Sequence, residues 1–257
     1  MKKAQSQKKR INNLLFPAYN NVVEKLTVAQ NAVKSHSNLY IQYLYSRLKS
    51  SLGSAKSDFE LLEERDGFCL VCRGNESWLA QMRQLANEHI SDILVVGYKY
   101  EFFKSRLALP LLTKEERFLL YSALVSADYK EDKRYASRRL GAFENCSIDG
   151  VYNFRLSELR RRWQEVLAYI PTDFGKYELE GFIDYIVSEN EGKAYLKAGK
   201  AYDENYRELT KSELLGNNSL ISELLLCGAG SVYCFGEVDE RTGRFLRKYY
   251  KEKAVFC

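Results

Sequence analysis

Phe59-Glu60-Leu61-Leu62-Glu63-Glu64-Arg65-Asp66-Gly67-Phe68-Cys69-Leu70-Val71-Cys72-Arg73 is the stretch that decides the fold class. Asp66-Gly67 separates two short apolar-rich runs, and an Asp-Gly step in that setting signals a β-hairpin. Nearly everything for the next ~120 residues reads as helix under the periodicity rule. A hairpin ahead of a helical middle makes the chain α+β rather than all-α.

Downstream of the hairpin, a long helix is predicted over roughly Glu76–Leu109, ended by Pro110. Thr113-Lys114-Glu115-Glu116 fits a capping box that opens another helix. The charge-rich stretch Asp128–Arg139 reads as one more short helix. Two helices are predicted over Val151–Ile170 and Thr172–Ser188, parted by Pro171. After Glu189-Asn190-Glu191-Gly192 the pattern changes. Strands are predicted at Ala194–Lys197, Ala201–Leu209, Ser231–Phe235 and Ala254–Cys257, with helices at Ser219–Cys227 and Arg241–Lys251. This end of the chain reads as a small mixed α/β unit.

Upstream of the hairpin the reading is of an arm. Residues 1–10 are polar and basic. Leu14, Leu15, Ala18, Val22, Leu26, Ala29 and Val33 recur at spacings of three and four, which predicts a helix from about Pro17 to Val33. Leu39–Leu52 forms a second helix, and Gly53-Ser54-Ala55-Lys56-Ser57 a linker. Three parts follow: a basic helical arm over 1–57, a hairpin-plus-helical domain over 58–190, and the small α/β unit over 191–257.

Charge supports the arm. Residues 1–57 hold ten Lys/Arg against the single acid Glu24, whereas the other 200 residues hold 29 bases and 33 acids. The net charge of +5 hides that contrast. Lys2, Lys3, Lys8, Lys9 and Arg10 are the candidate polyanion-binding residues, for nucleic acid or an anionic membrane surface. Packing of the 11–34 stripe on the body or on a second copy is the competing reading.

At 257 residues, 46% hydrophobic and 28% charged, the chain has the composition of a soluble globular protein. No uncharged run is longer than Leu224–Gly236, which is too short to cross a bilayer and holds three glycines. Six cysteines without a secretory signal read as reduced thiols in the cytoplasm. The 19 tyrosines read as amphipathic packing residues ahead of nucleobase-stacking ones.

Motifs for chemistry are weak. Cys69-Leu70-Val71-Cys72 has a zinc-knuckle shape, but zinc needs four ligands and no second pair follows at finger spacing. Gly228-Ala229-Gly230 follows a helix and precedes a strand, the reverse of a phosphate loop, so a left-handed helix cap is expected there. Only His36 and His89 are available for acid–base work. No catalytic residue and no cofactor are assigned. Arg160-Arg161-Arg162 fans around a helix and reads as a solvated face, with Glu158/Arg162 and Arg161/Glu165 at ion-pair spacing. Arg244, Arg247, Lys248 and Lys251 make the better basic patch, although cations in a last helical turn also answer the helix dipole.

One buried ion pair is predicted. On a helix wheel from Val151, Arg155 falls inside the apolar arc with Leu159 and Trp163, and Glu178 falls between Phe174 and Phe182 on the next helix. A charge on a packed face needs a partner. Arg155 and Glu178 are therefore expected to meet across the antiparallel pair.

Asn153-Phe154-Arg155-Leu156, Tyr177-Glu178 leading to Tyr185-Ile186-Val187, Leu220-Ile221-Ser222-Glu223-Leu224 and the terminal Val255-Phe256-Cys257 occur in an ordered series. That series, roughly 148–257, resembles the YtxC family of sporulation-associated proteins. The resemblance implies a setting in endospore-forming bacteria and brings no catalytic residues with it. The expected function is therefore a sporulation-associated cytoplasmic protein, non-enzymatic, acting through protein or nucleic-acid contacts. The alternatives are an enzyme or metal-binding module with an unrecognised site, or peripheral membrane attachment through the basic N-terminal helix.

Overall fold

Strand pairing begins earlier in the chain than the hydrophobic stripe suggests. The computed structural model describes residues 25–31, 38–52 and 59–257. The candidate cations Lys2, Lys3, Lys8, Lys9 and Arg10, the helix start at Pro17 and the linker Gly53–Ser57 all lie outside the described residues. Where the stripe enters them it is a strand, β1 (Lys25–Asn31), not a helix. Leu26, Val28 and Gln30 are buried and their neighbours are not, a period of two.

The predicted hairpin is present as β2 (Phe59–Glu64) and β3 (Gly67–Arg73). β1 pairs antiparallel with β3, in register Lys25–Arg73 to Asn31–Gly67. A short strand β4 (Asn145–Ser147) pairs parallel to β1, giving the order β2-β3-β1-β4. α1 (Leu39–Leu52) buries Tyr40, Ile41, Tyr43, Leu44 and Leu48. β1 and α1, both inside the segment read as an arm, are thus built into the body.

The centre is one long helical run. α2 (Glu76–Asp92) is capped by Asn75, passes into a π-helical turn over Ile93–Tyr98, and continues as α3 (Lys99–Lys104). Every residue from Ser91 to Tyr100 is buried, and the middle of that run, Ile93–Tyr98, is apolar on all sides. Gly97 lets Tyr40 lie against this run, since a Cβ there would come within 2.5 Å of the tyrosine ring. α4 (Lys114–Ala127) opens with the predicted capping box, both bonds formed between Thr113 and Glu116. α5 (Tyr129–Leu140) follows directly.

The predicted helix Val151–Ile170 is broken. α6 (Ile148–Gly150) runs into a π-helical turn over Val151–Arg155, and α7 (Ser157–Ala168) starts after Leu156, whose φ of −110° and ψ of 25° leave the helical basin. α8 (Lys176–Glu189) then leads to the second sheet.

That sheet comprises β5 (Gly192–Lys197), β6 (Lys200–Tyr202), β7 (Ala229–Phe235) and β8 (Ala254–Phe256), in the order β6-β5-β7-β8. β5/β6 is antiparallel; β5/β7 and β7/β8 are parallel. A 3-10 turn (Lys211–Leu215), α9 (Leu220–Leu226) and α10 (Glu240–Phe245) complete the unit. Ala194, Leu196, Val232 and Cys234 face the core. Gly228 sits at φ +69° after α9, the left-handed cap expected there. The fold is α+β with two small sheets. No helix among the described residues is long and apolar enough to cross a membrane.

The Arg155–Glu178 pair does not form. Both side chains are exposed. Glu178 turns back on its own helix and accepts from Gly175 N at 3.0 Å. Arg155 donates to Leu140 O at 3.3 Å, at the C-terminal end of α5. The wheel assumed one regular helix, and the break at Leu156 resets its phase. Arg155→Ala is therefore expected to cost about 0.3–1 kcal/mol, the range for a cation at a helix C-terminus. Urea denaturation would detect the larger loss that a buried pair demands.

Candidate functional site

A buried ion pair does exist, between groups the sequence did not single out. Lys99 Nζ lies 2.7 Å from Asp132 Oδ2, with the side chains 1% and 3% exposed. The same oxygen accepts from Trp163 Nε1 at 2.8 Å. Lys99 also reaches Val125 O at 3.4 Å and sits over the Trp163 ring. The cluster ties α3, α5 and α7 together and is closed to solvent, so its role is structural.

Asp149, from the segment that opens the family-like series, also builds structure. It accepts from Asn31 N at 2.9 Å and from Tyr98 OH at 2.8 Å, joining the end of β1 to the central helix. Burial first, and then the Asp149 charge, pushes the Tyr98 hydroxyl far above its ordinary range, which keeps it a proton donor. The carboxylate borders a cleft of about 330 Å³, and each of its oxygens holds one of these hydrogen bonds.

The thiols of Cys69 and Cys72 are buried on β3 between β1 and β2. Burial raises both, Cys72 to about 12, which disfavours the thiolate a metal would need. Among the described residues no group of three His, Cys, Asp or Glu side chains could hold a metal ion. In the arginine run, Arg161 pairs with Glu158 and Glu165, Arg162 lies over Tyr135, and Arg160 bonds Asn153 O. The three diverge as the helix geometry requires. Two of the C-terminal cations pair across the surface with α8: Lys248 reaches Glu180 at 2.5 Å and Lys251 reaches Asp184 at 3.5 Å.

The second sheet presents a different kind of surface. Alternation along Lys193-Ala194-Tyr195-Leu196-Lys197 sends Ala194 and Leu196 inward and the lysines and tyrosine outward. Register places Tyr202 on β6 and Tyr233 on β7 opposite Tyr195, and Lys200 and Phe235 opposite Lys197. Tyr195 stacks with Tyr206 at 4.8 Å and 16°, with Tyr233 at 5.5 Å and 27°, and with Phe235 at 6.3 Å and 26°. Tyr195, Tyr202, Tyr206 and Phe235 border a concavity of about 520 Å³, together with Lys197.

Tyr206 ends the stack, 69% exposed, at φ +57°. A bulky side chain in the left-handed region is unusual and is kept there only when neighbours fix it. The turn supplies that hold: Asp203 Oδ1 accepts from Asn205 N and Arg207 N, and Asp203 O accepts from Tyr206 N. Partial desolvation, then the Tyr206 and Tyr233 hydroxyls and the Glu204 charge, raise the Tyr195 pKa. Lys200 is paired with Glu208 at 2.9 Å, which leaves Lys193 and Lys197 to set the charge of β5's outer face.

Most described tyrosines do pack, as composition suggested: Tyr40, Tyr43, Tyr98, Tyr100, Tyr121 and Tyr250 are buried, and Tyr45, Tyr129, Tyr135, Tyr152 and Tyr249 pack partly buried against the core. The subset on the second sheet does not. No family model, no curated protein and no solved structure matches the chain.

Proposed function

We propose that this protein is a non-enzymatic binding protein that takes single-stranded nucleic acid on the outer face of its second sheet. The observation that carries the reading is the open stack Tyr206–Tyr195–Tyr233 with Phe235 beside it, flanked on β5 by Lys193 and Lys197. Aromatic rings in series accept unstacked bases whatever their identity, and lysines beside them meet the phosphates. Lys2, Lys3, Lys8, Lys9 and Arg10 would add phosphate contacts from outside the sheet. The setting we attach is sporulation, from the sequence resemblance, and the cytoplasm, from the cysteine usage.

The test is anisotropy with labelled single-stranded and duplex oligonucleotides over a range of salt. Binding to single strands is expected to exceed binding to duplex and to weaken linearly in log–log salt. Removing residues 1–10 should flatten that slope while leaving preference for single strands. The cut must fall before Lys25, because a longer deletion takes β1 out of the first sheet. Salt-independent capture of a protein instead of an oligonucleotide would identify the face as a protein interface and sink the proposal.

A further inference from the structure

A separate concavity of about 560 Å³ lies where the end of α3 and the start of α4 meet the segments around Asn217 and Arg241. Its floor is aromatic. Tyr100 meets Phe118 and Tyr121 edge-to-face, at 6.0 and 5.8 Å, with both tyrosines buried and Phe118 partly open. Its walls carry Lys104, Lys114, Arg117 and Arg241.

These cations are not equally engaged. Lys104 bonds Glu101 at 3.1 Å. The side chains of Lys114, Arg117 and Arg241 make no hydrogen bond or ion pair with any described residue. The nearby acids are mostly committed elsewhere. Glu116 is turned back on Thr113 N at 2.9 Å, and Asp239 accepts from Thr242 N at 2.9 Å. Against burial, which raises it, the Thr242 hydrogen bonds and then the Arg241 backbone N–H and charge hold the Asp239 carboxyl below its usual range. Glu115 is the one acid on the wall itself, against four cations. Positive charge is therefore in surplus above an apolar floor. Two guanidinium groups offer the planar fork that matches a phosphate, and a ring can rest on Phe118.

We infer that this cleft binds a phosphate monoester carried on an aromatic base, the phosphate on Lys114, Arg117 and Arg241 and the base on the Phe118 floor. Two sources share that chemistry: a free nucleoside monophosphate, and the phosphorylated end of a nucleic-acid strand. The second source rests on the proposed function, because Asn217 and Arg241 also border the next concavity, which reaches Lys197 beside the aromatic stack. The first does not.

Calorimetry on the full chain separates the two sources, with AMP, UMP, adenosine and inorganic phosphate as probes beside oligonucleotides with and without a 5′-phosphate. AMP or UMP is expected to bind at least about tenfold more tightly than adenosine or inorganic phosphate, and Arg117→Ala and Arg241→Ala should each remove most of that difference. If only the 5′-phosphorylated oligonucleotide responds to these substitutions, the strand end is the ligand. Binding of the unphosphorylated single strand reports on the sheet face alone, so failure of the sheet reading is distinguishable from failure here. Arg241 lies on an exposed segment, and thermal melting checks that both variants fold. Equal affinity for AMP and inorganic phosphate with no response of the 5′-phosphorylated oligonucleotide, or no effect of either arginine on any probe, overturns the assignment.

Discussion

Asp132→Ala is expected to lower the unfolding free energy by about 3–5 kcal/mol, the cost of stranding one member of a buried ion pair. The carboxylate lies 2.7 Å from Lys99 Nζ and 2.8 Å from Trp163 Nε1, both shielded from water. Without it Lys99 keeps Val125 O, at 3.4 Å, and the Trp163 ring but no counter-charge, and the indole N–H loses its acceptor. The substitution also decouples α3, α5 and α7, which the pair joins. A double variant, Lys99→Met with Asp132→Leu, removes both charges and is expected to lie closer to the unsubstituted protein than Asp132→Ala does. Urea denaturation of the three proteins decides it. A cost below about 1 kcal/mol for Asp132→Ala would mean that water reaches the site and that the pair is not buried in solution.

Why that pair was not legible in the sequence is a matter of distance along the chain. Lys99 is conspicuous, a lone cation after Ile93-Leu94-Val95-Val96-Gly97-Tyr98. Its partner lies 33 residues away inside Tyr129-Lys130-Glu131-Asp132-Lys133-Arg134, where nothing local marks one acid over another. The Arg155–Glu178 expectation failed for the complementary reason. It used only local geometry, and a single residue, Leu156, outside the helical basin rotates everything before it. β1 shows the same conflict. Leu26, Ala29 and Val33 fit a helix, but Leu26-Thr27-Val28 also alternates, and pairing with β3 selects the strand. Features decided within a few residues were readable: the Asp66-Gly67 hairpin, the Thr113–Glu116 capping box and the left-handed Gly228. The aromatic face falls between these cases. The alternation along β5 is visible in the sequence, whereas the register that lines up Tyr202, Tyr195 and Tyr233 is not.

Tyr206→Gly is the substitution that tests the aromatic face with least disturbance to the fold. The backbone at Tyr206 sits at φ +57°, a conformation glycine adopts without penalty, so removing the ring also relieves the left-handed constraint. Thermal stability is expected to hold. Affinity for a single-stranded oligonucleotide should fall by about 1–3 kcal/mol, the usual worth of one base–aromatic stack. Tyr195→Ala removes the central ring, on which Tyr206, Tyr233 and Phe235 all stack, and its effect should be at least as large. Charge supplies the opposite sign. Glu204 acts on Tyr195 and would repel a phosphate, so Glu204→Gln is expected to tighten binding. Replacing Lys193 and Lys197 by glutamine should weaken it and reduce the log–log salt slope by about 0.7 for each phosphate that is no longer neutralised. Stacking and charge then separate cleanly: the tyrosine variants shift affinity at constant slope, and the lysine variants change the slope. Unchanged affinity in both Tyr206→Gly and Tyr195→Ala would leave the sheet face without a nucleic-acid role.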